Sequence, residues 1–185
     1  RGSPAVPPEA VPTMNTAPDS AAAHDLIILG GGLAGLTLAL QLRQRLPALK
    51  VLVLERRSHP VPEAAFKIGE STVEIGAHYF AKVLGLQQHL VERQLKKFGF
   101  RFFFSEGRRD IENVTELGAS RPLPVGSFQI DRGIFENFLV EEVQRRGISF
   151  EQQAMVRDVA LTEDKAGLHT VTWQQHGQPA QSTQA

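Results

Sequence analysis

Six consecutive residues, Gly30-Gly31-Gly32-Leu33-Ala34-Gly35, satisfy the pattern G-x-G-x-x-G. The chemistry open to such a turn is anion binding. Gly30 permits the tight turn, Gly32 lets the backbone approach a pyrophosphate, and Gly35 lets a helix pack closely on a strand. Leu33 and Ala34 belong to this turn, and the N-terminus of the helix that follows offers free N–H groups and a partial positive charge to phosphates. Glu55 lies 20 residues after Gly35, at the end of the next apolar run. A carboxylate there accepts hydrogen bonds from the hydroxyls of an adenosine ribose and disfavours a 2′-phosphate, which argues against NADP. Arg56 and Arg57 follow at once; they either contact adenosine or phosphate or form a solvated surface pair. A glycine-rich turn in an unrelated α/β domain is the competing reading, and the flanking elements weigh against it. The unit alone does not choose between FAD and NAD.

Those elements must form a strand, a helix and a strand. Leu26-Ile27-Ile28-Leu29 is wholly apolar, as a buried parallel strand requires. Leu36 to Leu46 repeats apolar residues at helical spacing and is closed by Pro47. Val51-Leu52-Val53-Leu54 is a second buried strand, completing a βαβ unit with a right-handed crossover. Farther on, Ser71-Thr72-Val73-Glu74 reads as a capping box with Ser71 at the N-cap. The apolar stripe Val73, Ala77, Phe80, Ala81, Leu84 predicts a helix ended by Gly85. A short helix is expected from Leu86 to Leu95, and an aromatic strand from Phe98 to Phe104. Residues 105–126 are turn-rich. Ser127 to Ile130 predicts a strand, and Asp131 a cap for a helix running to Arg146 and stopped by Gly147. Strands follow at 148–150, 154–161 and 169–173, the last two joined around Asp164 to Gly167. The stretch from Gln174 to Gln184 holds five glutamines and reads as an exposed loop tip.

Composition bounds the rest. The chain has 185 residues, 20 Lys plus Arg and 20 Asp plus Glu, so its formal charge is zero. That balance argues against a nucleic acid or an anionic membrane surface as partner. There is no cysteine, which excludes disulfides, thiolate metal sites and cysteine nucleophiles. Apolar runs are too short for a membrane span. The six histidines show no zinc-ligand spacing, so no metal is expected. Five of the 11 prolines fall in the first 18 residues. Residues 1–23 therefore read as a flexible leader, with a vector remnant ahead of about Met14. Residues 24–185 then form the functional region, in a protein expected in the cytoplasm.

The segments Asp25 to Glu55, Phe66-Lys67-Ile68-Gly69-Glu70-Ser71-Thr72, Lys96 to Phe102 and Phe128-Gln129-Ile130-Asp131-Arg132 together carry a resemblance. Residues 25 to about 161 resemble the N-terminal part of FAD-dependent oxidoreductases of the glutathione-reductase superfamily. More narrowly, they resemble flavin-dependent halogenases and their aromatic-hydroxylase relatives. The fold so implied is α/β: a three-layer, Rossmann-like FAD-binding domain with a parallel sheet and an added β-rich segment, incomplete in these residues. The chain would then be the N-terminal portion of a longer polypeptide.

The resemblance also implies residue roles. The Gly69-Glu70-Ser71 stretch would run along the flavin, with the N–H groups of Gly69 and Glu70 free for a ligand; an ordinary helix cap is the alternative. In halogenases a lysine two residues before a glycine, with an aromatic three further on, engages hypohalous acid and aims it at an aromatic ring. Lys97 fits that spacing, although Gln94 stands where phenol-type members often carry phenylalanine. An ammonium lodged among Phe98, Phe100 and Phe102 would be partly desolvated and reactive; a solvated lysine pair ending a helix is the alternative. Gln129 or Arg132 would contact the flavin or its phosphates, or Asp131 simply caps its helix beside a surface arginine. The backbone near Val156 would pair with adenine. The activity implied is halogenation of an aromatic substrate, free or carrier-bound, with dioxygen, halide and FAD reduced by a flavin reductase. Aromatic hydroxylation by a flavin monooxygenase, a non-catalytic FAD-binding fragment and an NAD-dependent dehydrogenase are the alternatives. No nucleic acid is expected as partner.

Overall fold

The computed structural model describes residues 24–64, 70–121, 126–164 and 166–185. The expected leader and the Phe66 to Gly69 part of the flavin-side segment lie outside the described residues. In chain order the elements are β1 Leu26–Leu29, α1 Leu33–Arg45, β2 Val51–Leu54, β3 Glu70–Ser71 and α2 Glu74–His78, which a single π turn, Tyr79–Val83, continues. Then come α3 Gln87–Arg93, β4 Leu95–Lys97, β5 Arg101–Phe104, β6 Thr115–Gly118, β7 Ser127–Ile130 and α4 Arg132–Arg145. The last four are β8 Ser149–Glu151, β9 Met155–Ala160, β10 Thr170–Gln174 and β11 Gln181–Gln184.

Strands β1, β2 and β8 form a parallel sheet with β2 in the centre, Leu29 opposite Leu54 and Leu54 opposite Glu151. All four residues of β2 are buried, because both faces of the sheet are covered. On one face Ile28, Val51 and Val53 pack with Leu36 and Leu40 of α1 and Phe135, Leu139 and Val143 of α4. On the other, Leu52 and Leu54 meet Ala154, Val171 and Trp173. Helices, parallel sheet and the antiparallel sheet β11-β10-β9 thus make three layers. A second antiparallel sheet, β3-β7-β4, carries the residues of the later motifs, and β5 and β6 pair as a hairpin.

The chain departs from its expected elements for local reasons. Helix α1 opens at Leu33, three residues early, because Gly32 adopts the extended N-cap conformation. No capping box forms: Val73 is the N-cap of α2, without a side-chain cap, and Ser71 belongs to β3. The expected stripe holds at Ala77, Phe80 and Leu84, whereas Val73 is exposed. The expected aromatic strand is shortened to β5, because the chain turns at Gly99, whose φ of +125° is open to glycine but not to a strand residue, and β4 lies ahead of it where the preceding helix was expected to end. A strand, β6, lies within the turn-rich stretch. The glutamine-rich end is β11 and not a loop tip, pairing along β10 with Thr183 buried. An edge strand is held by backbone hydrogen bonds and needs few apolar side chains. His24 clasps it, donating its N–H to the Gln184 carbonyl at 2.9 Å.

Candidate active site

The glycine turn joins β1 to α1 as the sequence predicts. Gly30, at φ +114°, donates its N–H to the Leu54 carbonyl at 2.8 Å, fastening the turn to β2. A Cβ on Gly35 would stand 2.0 Å from the Gly30 carbonyl oxygen, so this residue must lack a side chain for helix and strand to touch. Gly32 differs. A Cβ there would meet nothing nearer than Glu136 Oε1 at 3.9 Å. The protein itself does not require glycine at 32; the space above it fits a ligand brought against the backbone. Leu33, Ala34 and the rest of the first turn of α1 open beside that space.

Glu55 is buried at the end of β2 and is turned towards the glycine turn. Its Oε2 accepts the Gly31 N–H at 2.7 Å and its Oε1 accepts the Arg57 N–H at 2.8 Å. Each carboxylate oxygen keeps a second lone pair for a ribose hydroxyl. A Cβ on Gly31 would stand 2.8 Å from both Glu55 Cβ and Phe150 Cε2, a close approach that the motif pattern does not signal. Arg56, Met155 and Arg157 line one groove beyond this acid, which places Val156 beside the same end of the sheet. Val156 is paired with Trp173 across β9 and β10.

The second cluster sits on the sheet β3-β7-β4. Ser71 is opposite Gln129, which is in turn opposite Leu95, and Lys97 is opposite Ser127. This register brings Lys97 to Ser71: its ammonium donates to Ser71 Oγ and, at 3.0 Å, to the Thr72 carbonyl. The Phe100 ring covers it at 4.4 Å from the ring centroid. Thr72 is buried and exchanges hydrogen bonds with the backbone of Phe128, so the carbonyl that holds Lys97 is itself fixed. Lys96 lies on the opposite face, lining a groove with Ala77, Val91 and Phe128. The expected three-ring cage is corrected: Phe98, Phe100 and Phe102 are all exposed, and only Phe100 covers the Lys97 ammonium. The three rings would share one face of a continuous strand, but the chain turns at Gly99, and Phe98 lies instead against the Lys96 ammonium, 5.5 Å from it to the ring centroid.

Gln94, the residue that departs from the halogenase pattern, is buried and accepts the Asp131 N–H at 2.8 Å. Asp131 caps α4 as expected, accepting the Ile134 N–H at 3.0 Å. Arg132 is not a solvated surface residue. Its guanidinium donates to Glu70 of β3 and to Glu136 one turn along α4. Burial opposes the charge, but the hydrogen bonds to Glu136 and Glu70 outweigh it and hold the Arg132 pKa above its ordinary value. Glu136 Oε1 also accepts the Leu33 N–H at 3.3 Å. One buried carboxylate therefore links α1, the glycine turn and Arg132. Sequence reading passed over Glu136; its signal was an acid between Phe135 and Leu139 on a buried helix face, four residues after an arginine.

The family model for an NAD(P)-binding Rossmann-like domain matches residues 28–98. Over 131 residues the chain is 35% identical to the flavin-dependent halogenase chlA of Dictyostelium discoideum, covering 67% of this chain and 22% of that protein. Among solved structures, the myxobacterial chondrochloren halogenase CndH superposes with a TM-score of 0.69 at 25% identity, covering 88% of this chain and 36% of that one. The p-nitrophenol 4-monooxygenase PnpA of Pseudomonas putida gives 0.69 at 17% identity, with 88% and 39% covered. The fold is that of the FAD-dependent halogenases and monooxygenases. The chain spans about a fifth of chlA and about a third of CndH.

Proposed function

We propose that this chain forms the FAD-binding part of a flavin-dependent halogenase acting in the cytoplasm on an aromatic substrate. Support for the cofactor comes from the open space above Gly32, the orientation of Glu55 towards the turn, and the flavoprotein relatives. The pyrophosphate would lie against Gly30, Gly32, Leu33, Ala34 and Gly35, and the ribose on Glu55 with Arg56 and Val156 towards the adenine. Gly69, Glu70, Ser71, Gln129 and Arg132 would face the flavin half. Reduced FAD, supplied by a flavin reductase, would provide the electrons for dioxygen activation.

The observation that carries halogenation is Lys97. Its ammonium is held at one point by Ser71 Oγ, the Thr72 carbonyl and the face of Phe100. A cation so fixed can orient an oxidised halogen species and keep it from water, given a substrate on the exposed side. The exposed rings of Phe98, Phe102 and Phe104 would be covered by the remainder of the polypeptide, consistent with the span of the relatives. Lys97→Ala should preserve FAD binding and flavin reoxidation by dioxygen while eliminating halogenated product. Halogenation at the parent rate by that variant would refute the role.

Hydroxylation is the second reading, favoured by one observation: PnpA matches the fold as closely as CndH does. Product analysis with and without halide separates the two.

A further inference from the structure

Lys96 and Lys97 are neighbours with the same side chain, and only Lys97 reaches Ser71. The strand that presents them does little to make that choice. β4 has three residues, lies at the edge of its sheet beside β7, and leaves Leu95 and Lys96 exposed and Lys97 half-buried. A short strand without a buried residue is weakly held in register, and a slip of one residue turns every side chain to the other face. Such a slip of β4 would bring Lys96 to Ser71 and turn Lys97 into the groove of Ala77, Val91 and Phe128.

What holds the register lies one residue ahead of the strand. Gln94 is 8% exposed, and both ends of its amide are used. The Asp131 N–H donates to one end at 2.8 Å, so that end is the oxygen, Oε1. Nε2 therefore faces His89 Nε2 at 3.2 Å and donates to it, which leaves the ring proton on Nδ1. Burial and the Arg93 charge lower the His89 pKa to about 4, so at neutral pH this lone pair is open. Both anchors are themselves fixed. His89 is stacked on Phe138 at 3.9 Å between ring centroids, and Asp131 follows the buried Ile130 and caps α4. We propose that Gln94 is the pin that sets the register of β4 and so selects Lys97, not Lys96, for the site. Gln94 touches no reacting atom; it is a positioning residue. The pin is independent of the activity, and its consequence for halogenation rests on the reading of Lys97 given above.

The test is competitive acetylation of the folded protein by limiting acetic anhydride, with the two lysines separated by fragment ions in peptide mass spectrometry. An amine held by hydrogen bonds reacts only after a local opening, so in the parent Lys96 should react on the order of tenfold faster than Lys97. Gln94→Met has a similar length but makes no hydrogen bond, and should bring the two rates within about twofold. Gln94→Glu still accepts the Asp131 N–H and accepts from the other His89 tautomer, and should restore most of the difference. Where Gln94→Met does not fold, His89→Phe keeps the stack and removes one anchor, and should narrow the ratio. An unchanged ratio in whichever of these two is read, a Gln94→Glu ratio no different from theirs, or equal reactivity of the two lysines in the parent would overturn the pin. Halogenation by Lys97→Ala at the parent rate would overturn the reading of the site and leave the pin standing.

Discussion

Single residues divide by whether their neighbours or a ligand dictate them. Gly35 is dictated from within. Its replacement by alanine puts a methyl 2.0 Å from the Gly30 carbonyl, and should cost about 1–3 kcal/mol of stability in urea denaturation. Glu55 answers to both. Glu55→Ala should weaken FAD binding by about 1.5–3 kcal/mol, the loss of a charged hydrogen-bonding partner in a buried site, measurable by calorimetric titration. The glycine pattern, Glu55 and the Asp131 cap were legible because each has a local signature. Ser71 was misread because a hydroxyl three residues before an acid suits a capping box and a strand equally. What decides between them is the pairing of Ser71 with Gln129 of β7, 58 residues away, and no local pattern reports a partner so distant.

At the scale of elements, the buried strands and long helices followed their periodicity, and the failures came where tertiary contacts supply the stability. Strand β11 is polar and survives through its ladder to β10 and the clasp of His24. The π turn after α2 gave no sequence signal; it brings Phe80 against Phe135 of α4 at 5.2 Å between centroids. Helix α3 docks on α4 through His89, stacked on Phe138 at 3.9 Å. Burial and the nearby Arg93 charge lower the His89 pKa from 6.5 to about 4, against an opposing pull from Glu92. Between those values the unfolded chain binds a proton that the folded chain refuses. Stability should therefore be full above pH 6.5 and decline as pH falls towards 4, with no further loss from this residue below. After solvent screening at this half-exposed ring the loss is on the order of 1 kcal/mol. Denaturation midpoints from pH 7.5 to 4 would show it, and His89→Phe should flatten that part of the profile.

At the scale of the molecule, the three layers bring two clusters from distant parts of the chain to one region. The βαβ unit contributes the turn and Glu55; the sheet β3-β7-β4 contributes Lys97. Arg132 and Glu136 on α4 join them. The first cluster was readable because its residues are close in sequence. The join was not, since it depends on α4 packing against α1, a hundred residues apart. The central claim is that the turn holds FAD, and Gly32 tests it most directly, because a Cβ there makes only an ordinary contact with the protein, Glu136 Oε1 at 3.9 Å, and would stand in the place of the ligand. FAD should bind the parent protein and fail to bind Gly32→Val, while the two unfold at the same urea concentration within error. Full flavin occupancy in Gly32→Val would contradict the account.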